Sequence, residues 1–506
     1  MSITLLLDMA VDGMGDRVAV GPRDGGITYA ALRDRAARSA AVISATGVER
    51  VALVDVNSDV VPELLFASAL AGVPFVPVSY RLAADRLRAA VARTAPVYAV
   101  TAPDVAALVG DVDGVRCCTA DVHRAAADRA GAAEPVEHDD DAVAIWLFTS
   151  GTTGEPKAAL LRHRHLVSYV LSTVEFLAAA EDEATLVSVP PYHIAGMATI
   201  LSNVYAGRRI VYLPQFDPGE WVDLAARESV THAMVVPTML GRILDALDER
   251  GAELPALRHV AYGGGRMPVA TIERALDLLP DVGFVNAYGL TETSSTIAVL
   301  GPDDHRAAHA SDDPLVRARL GSVGRPLPSV ELEIRDPSGT PLPAGQVGEI
   351  CVRGEQVAGE YQGASALGEG GWFATRDAGY LDEGGFLFVE GRIDDVIVRG
   401  GENLSPGEIE DVLVEHPAVA EAAVVGLPDE EWGEVVGAAV VLEPGNAVDV
   451  EELQEWVRER LRSSRVPAVI EVRDTLPYNE TGKLLRRVLR EELRAFREVS
   501  GGLPRA

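Results

Sequence analysis

At 506 residues and 48% hydrophobic content, the chain is long enough for two or three domains and a sizeable core. Its 76 acids outnumber 45 lysines plus arginines, giving a formal charge of −31, so nucleic acid and anionic membrane surfaces are excluded as partners by repulsion. No apolar run reaches membrane-spanning length, the N-terminus lacks the basic start of a secretory leader, and Cys117, Cys118 and Cys351 show neither metal spacing nor an easy disulfide. A cytoplasmic location is expected from these features.

Strand-like and helix-like segments alternate over residues 16–130. Arg17–Val20 reads as a strand, and Thr28 caps a helix running through Ala45. Val51–Val56 and Val73–Val78 read as strands, and Pro62–Ala71 and Ala84–Thr94 as helices. Such alternation predicts a parallel α/β layer. An acidic loop over 131–141 follows.

The next stretch, TSGTTGEPK at 149–157, lies between the hydrophobic run Ala142–Phe148 and a helical pattern from about Leu160 to Leu177. It therefore reads as a strand-to-helix loop. Gly151 and Gly154 let backbone N–H groups approach a ligand closely, and successive inward N–H groups form an anion nest. Thr149, Ser150, Thr152 and Thr153 add hydroxyls, and Lys157 adds a compact charge. This is chemistry for polyphosphate, although the spacing is not that of the GxxxxGK[ST] loop. A polar surface linker is the alternative. Lysine occurs twice in the chain, at Lys157 and Lys483, both in glycine-containing polar loops. An ammonium is not interchangeable with guanidinium, which gives both positions weight.

Alternation resumes over 185–300. Strands are expected at Leu186–Val189, Arg209–Tyr212, His232–Val235, Arg258–Tyr262 and Phe284–Ala287, with a helix at Val222–Arg227. Several of these strands end in loops rich in chemistry: PPYHIAG at 190–196, YGGGRMP at 262–268 and YGLTETSS at 288–295. Ligands of open α/β sheets bind at the carboxyl ends of strands, so these loops are candidates for one cleft. From about 320 to 390 short strands (Glu331–Arg335, Gly348–Arg353, Gly385–Glu390) separated by Pro/Gly turns predict a β-rich subdomain. Beyond Asp394 the pattern is α+β, with helices at Gly407–His416, Val450–Arg462 and Leu484 to about Glu498. Strands are expected there near Ala422–Val425 and at Gly437–Leu442. A domain boundary is placed at 391–395, GRIDD, and no internal repeat is visible.

Together the ordered motifs TSGTTGEPK, PPYHIAG, YGGGRMP, NAYGLTET, VGEICVRG, ATRDAGY, GRIDDVIVRGGENLSPGEIE and LPYNETGK closely resemble those of the adenylate-forming enzymes. That family includes acyl-CoA synthetases, luciferases and the adenylation domains of peptide synthetases, and the resemblance covers nearly the whole chain. It implies an α/β fold: a large N-terminal domain of layered sheets, 1–393, with the β-rich subdomain, and a small mobile α+β C-terminal domain, 394–506. It also implies two-step chemistry. ATP activates a carboxylate as an acyl-adenylate, and a thiol, of coenzyme A or of a carrier's phosphopantetheine, then displaces AMP.

By the same resemblance, residues 149–157 grip phosphates, Tyr288 packs on adenine, Thr291 touches the α-phosphate and Glu292 holds Mg²⁺. Gly264, Gly265, Asn286, Ala287 and Gly289 complete the nucleotide site. Asp377 binds ribose and Arg392 the ribose or α-phosphate. In the Thr-Gly-Asp triplet usual for the family, Arg376 stands in the glycine's place, which puts the local backbone in question. Lys483 is the C-terminal catalytic lysine, Asp394 the hinge, and Gly400 and Gly401 line a tunnel for the pantetheine arm, with Arg465 a candidate for the CoA phosphate. His193 (also a gating residue), Val236, Pro237, Gly263, Gly264 and Gly265 wall the acid pocket, which suits a bulky or flat acid. Taken alone, Glu292 also reads as a helix N-terminal acid, His193 as a satisfied core histidine, and Lys483 as a solvated loop lysine. Arg266 has two readings: a partner for a second acidic group on the substrate, or for a surface acid. The expected partners are a small carboxylic acid, ATP and CoA or carrier pantetheine, and a homodimer is entertained as the assembly. An adenylating enzyme that passes its product to another nucleophile and a non-catalytic nucleotide-binding scaffold are the competing readings.

Overall fold

Residues 1–133, 136, 139, 141–149, 157–478 and 484–499 are described by a computed structural model of the chain. The helix Val60–Ala71 sits at the centre of the N-terminal half because its sequence, VVPELLFASALA, has no broad polar face; eleven of its twelve residues are buried. A helix that is apolar all round needs cover on every side. Two sheets and the helices Thr4–Met14, Tyr29–Ser44 and Ile194–Ala206 supply it, so that Val51, Leu53 and Phe75 of one sheet and Val20, Val187 and Ile210 of the other share one core with Leu64, Leu65 and Phe66. Helix Tyr29–Ser44 begins where expected, with Thr28 Oγ1 accepting from the Ala31 N–H at 3.1 Å.

Among the described residues, the first sheet has nine strands. Its middle is parallel: Arg209–Tyr212, Ala184–Val187, His232–Val235, His259–Gly263 and Gly283–Leu290 lie side by side in that order. The second sheet has eight strands and is parallel from Val143–Thr149 through Phe75–Pro77, Arg50–Val54 and Val97–Thr101 to Val115–Thr119. A four-stranded antiparallel sheet (Glu331–Arg335, Gly348–Arg353, Phe373–Leu381, Leu387–Arg392) accounts for the β-rich texture read in the sequence. The small C-terminal domain is a five-stranded sheet around Gly433–Leu442, covered by Pro406–Val414, Val450–Arg460 and Arg486–Val499.

One expectation fails at an informative place. Residues after 157 do not enter a helix. Lys157–Arg162 is a strand antiparallel to Val143–Thr149, and the helix is only His163–Thr173. Ala158, Ala159 and Leu161 are buried in the sheet, and Tyr361 of Glu360–Tyr361 pairs beyond with Ala159. The loop of interest is thus the connection of an antiparallel pair, and the sheet is parallel only in part. Ala and Leu satisfy a helical pattern as readily as a strand, so periodicity alone did not separate the two.

Glu63 puts a charge into the central helix. Ser39 Oγ donates to Glu63 Oε1 at 2.7 Å, His123 Nε2 lies 3.6 Å from the same oxygen, and Arg124 Nε lies 3.5 Å from Oε2. His123 in turn bonds Ser39 Oγ at 2.9 Å and the Tyr98 hydroxyl at 3.0 Å. Burial opposes ionisation, but His123, Ser39 and Arg124 outweigh it and hold the carboxyl below the ordinary glutamate value of 4.5. Glu63→Ala should cost about 3–5 kcal/mol at pH 7 by urea unfolding, because its partners would be stranded. A carboxyl lowered on folding stabilises fully above its unfolded value and loses that contribution as pH falls through the folded one. The gap between wild type and variant should therefore narrow on acidification below 4.5.

Candidate active site

Four neighbouring parallel strands end at one edge of the nine-stranded sheet, and each opens into a loop singled out from sequence. Ala184–Val187 leads to Pro190–His193, His232–Val235 to Val236 and Pro237, His259–Gly263 to Gly264–Arg266, and Gly283–Leu290 to Thr291 and Glu292. Val236 and Gly264 are in contact range, since a Cβ built on Gly264 would lie 3.7 Å from Val236 Cγ1; one on Gly265 would lie 3.9 Å from Pro237. Gly263 is register partner of Ala287, and Asn286 is buried with its Nδ2 donating to the Ser322 carbonyl at 3.1 Å. The structure thus gathers Val236, Pro237, Gly263, Gly264, Gly265, Asn286 and Ala287 into one wall.

Glu292 lies in a tight 3₁₀ turn, Thr291–Thr293, between antiparallel strands. Gly289 permits the turn: a Cβ there would lie 1.8 Å from the Ser295 carbonyl oxygen. Thr293 Oγ1 accepts from the Leu290 N–H at 3.0 Å and donates to the Ser295 carbonyl at 2.8 Å. The Glu292 carbonyl accepts N–H bonds from Ala358 and Gly359 at 2.8 and 2.9 Å, and its buried carboxylate accepts from the Tyr361 hydroxyl at 2.5 Å. Burial and the Glu292 charge push the Tyr361 phenol up, so it remains a proton donor. The Lys157 ammonium stands 5.7 Å from the Tyr361 ring centroid. Sequence reasoning missed Tyr361, which belongs to none of the quoted motifs.

Lys157 is exposed and directly opposite Thr149, whose Oγ1 donates to the Lys157 carbonyl at 3.3 Å. Ser150, Gly151, Thr152, Thr153 and Gly154 lie outside the described residues, as does Lys483.

A second cluster lies across the four-stranded sheet. Asp377 and Arg392 are register partners, with Arg392 Nε 3.1 Å from Asp377 Oδ1 and Nη1 donating to the Thr375 carbonyl at 2.8 Å. The Tyr288 hydroxyl donates to Asp377 Oδ2 at 2.6 Å, and the Tyr288 ring packs on the apolar core beneath this sheet. Each carboxylate oxygen keeps a lone pair for a further donor. Arg376 takes φ 65°, the left-handed region that a glycine would occupy freely, and its guanidinium reaches Asp394 at 3.0 Å. The departure from the glycine therefore leaves the backbone path intact and ties it to 394.

His193 precedes helix Ile194–Ala206 and packs edge-on against Tyr192, with centroids 4.7 Å apart. Its Nε2 is buried without a hydrogen-bond partner among the described residues. Burial, then the nearby Arg81, lowers its pKa to about 4, so the ring is neutral near pH 7. Gly400 and Gly401 form the turn between Ile397–Arg399 and Glu402–Leu404, both at positive φ. Arg465 is bound by Glu402 and Glu408 at 2.8 and 2.6 Å, and so braces that turn from behind. Among the described residues no group of three His, Cys, Asp or Glu side chains is arranged around a metal position, and no helix is long and apolar enough to cross a membrane.

Residues 7–362 match the family model for AMP-binding enzyme, and residues 408–483 that for AMP-binding enzyme C-terminal domain. Feruloyl-CoA synthase from Amycolatopsis sp is 35% identical over 480 residues, covering 92% of this chain and 94% of that protein. The fatty acid–acyl-carrier-protein ligase ScoC from Streptomyces coeruleorubidus is 35% identical over 501 residues, covering 92% and 91%. The o-succinylbenzoate CoA synthetase MenE from Bacillus subtilis, solved with the acyl-adenylate intermediate OSB-AMP, superimposes with a TM-score of 0.83 at 30% identity, covering 96% of this chain and 97% of that one. The same protein with ATP and magnesium ion gives 0.82 at 30%, covering 97% and 99%.

The left-handed backbone at 376 has a measurable cost. Arg376→Gly and Arg376→Ala both lose the exposed pair with Asp394, but only glycine relieves the backbone. Chemical denaturation should find the glycine variant more stable than the alanine variant by about 1 kcal/mol.

Proposed function

The chain belongs to the AMP-binding enzymes, and from that premise we propose that it is an acid–thiol ligase whose usual acceptor is coenzyme A. A substrate carboxylate oxygen attacks the α-phosphorus of ATP, the bond to the β-phosphate breaks and pyrophosphate leaves. The acceptor thiol then loses its proton, forms a bond to the acyl carbon and expels AMP. The observation that carries this reading is the pair of contacts made by Tyr361, its hydroxyl on the Glu292 carboxylate and its ring 5.7 Å from the Lys157 ammonium, with Glu292 at the end of the sheet whose strands also lead into the glycine wall. Similarity over more than nine-tenths of the chain to a protein named for CoA ester synthesis supports it.

In this reading Lys157 and the 149–157 loop neutralise the leaving phosphates. Glu292 fits Mg²⁺: a single buried carboxylate suits an ion that takes most of its ligands from phosphate and water, and the solved relative holding ATP and magnesium ion supports the assignment. When bound, the ion offsets phosphate charge so that an anionic acid can approach. Asp377, held on one side by Tyr288 and on the other by Arg392, accepts the ribose hydroxyls. Thr291 and Arg392 face the α-phosphate, and Lys483 bridges it to the substrate carboxylate. Residues 1–393 and 394–506 are the two moving units, Asp394 is the hinge, and Gly400 and Gly401 admit the pantetheine arm. Neutral His193, with a ring nitrogen unpaired among the described residues, lines the acid pocket beside Val236, Pro237 and Gly263–Gly265. Aryl acids head the candidate substrates, because two of the similar proteins are named for feruloyl and o-succinylbenzoate groups. Transfer to a carrier-protein thiol is the second reading, favoured by the similarity to ScoC.

Screening an acid panel for ATP–pyrophosphate exchange, then for thioester with CoA or a phosphopantetheinylated carrier, tests the proposal. Acid-dependent exchange is expected, and its absence with every acid would leave a nucleotide-binding scaffold instead. Lys483→Ala should cripple adenylation yet spare thioester formation from supplied acyl-adenylate; equal loss in both would refute the lysine's role. Tyr361→Phe should weaken Mg·ATP binding by roughly tenfold, as for loss of a hydrogen bond to a charged group. Calorimetry with ATP in the presence and absence of magnesium is the check, and the affinity for acid should not move.

A further inference from the structure

Arg266 follows the three glycines of the acid-pocket wall, in the loop joining strand His259–Gly263 to helix Val269–Leu278. Its side chain does not turn toward that wall. It reaches the C-terminal domain, where Nη2 lies 2.5 Å from Asp411 Oδ2 on helix Pro406–Val414. One turn earlier on the same helix stands Gly407. A Cβ built there would lie 1.6 Å from Arg266 Nη1 and 2.5 Å from Cζ, so the tip of the guanidinium occupies the space that the bare backbone at Gly407 leaves open. Burial pushes the Asp411 carboxyl up to about 6, and Glu410, Glu415 and Glu390 push the same way, whereas Arg266 opposes them. The neighbouring acids of this helix have cations of their own domain: Glu408 has Arg465, and Glu410 has Arg486. Asp411 takes its cation from the other domain.

We propose that Arg266, Asp411 and Gly407 form a clasp between the pocket loop and the C-terminal domain, which favours the observed domain arrangement and opens when that domain rotates. This rests on the two-step, rotating-domain reading above. Arg266 is then a positioning residue: it joins the wall that receives the acid to the element whose placement decides which half-reaction proceeds. It recognises no second acidic group on the substrate.

Two readouts test the clasp. In amide hydrogen exchange, Arg266→Met and Asp411→Asn should each accelerate exchange about fivefold both in the loop at 263–268 and in the first turn of the helix at 406–414, the factor for an ion pair worth about 1 kcal/mol. The double variant should show no further change, and the exchanged pair Arg266→Asp with Asp411→Arg should move back toward wild type. Additive single effects, or acceleration confined to one domain, would overturn the proposal. In kinetics, the ratio of adenylation to thioester rates should shift about fivefold in both single variants, with the order of preference among acids unchanged. A changed acid preference in Arg266→Met would place the guanidinium at the substrate and overturn it too. Should wild type activate no acid at all, the functional reading fails, and hydrogen exchange still decides the clasp.

Discussion

Segment 358–362 touches both halves of the candidate site at once. The N–H groups of Ala358 and Gly359 bind the Glu292 carbonyl, the Tyr361 hydroxyl binds the Glu292 carboxylate, and the backbone around Tyr361 pairs with the strand that carries Lys157. The Gln362 N–H also bonds the Ala158 carbonyl at 3.0 Å. Glu292 belongs to the nine-stranded sheet and Lys157 to the eight-stranded one. The separation between a carboxylate and an ammonium on different sheets is thus set by five residues rather than by the general packing of two layers. Preorganised charge is effective because nothing has to move when the ligand's own charge arrives.

The net charge of −31 makes such local arrangement necessary. A polyphosphate approaching this surface meets repulsion except where cations are concentrated. Most arginines in view are already committed: Arg465 to Glu402 and Glu408, Arg486 to Glu410, Arg266 to Asp411, Arg376 to Asp394. Among the described residues Lys157 differs from these, its ammonium standing 5.7 Å from the centroid of the Tyr361 ring. The Asp377–Arg392 pair stands between these cases, since the carboxylate that holds Arg392 also accepts from the Tyr288 hydroxyl.

Much of this architecture is legible in the sequence. Strands Arg209–Tyr212, His232–Val235, Glu331–Arg335 and Gly348–Arg353 fall at the expected bounds, because short apolar or alternating runs flanked by turn residues have few alternatives. The loops carrying Glu292, His193 and the glycine wall emerge where alternation and motif order put them. The strand Lys157–Arg162 was hidden because its alanines and leucines fit two periods, and what selects the strand is pairing with Val143–Thr149 on one side and Tyr361 on the other. Tyr361 and Asp411 were hidden for a different reason. Their partners lie 69 and 145 residues away, and no local pattern encodes a contact made only by the folded sheets and domains. Arg376 fell between: the missing glycine marked the position, while the ion pair to Asp394 appears only in three dimensions.

Gly407 gives the molecule an unusual genetic vulnerability. Any single-nucleotide missense change of a glycine codon adds a side chain, and at 407 the added atom meets the tip of an arginine rather than backbone. That tip can swing aside at little energetic expense, so the altered protein would fold, accumulate and keep every residue of its reaction centre. What it would lose is communication between its halves. Such an allele would pass any screen for expression or thermal tolerance and declare itself only in the timing of successive steps.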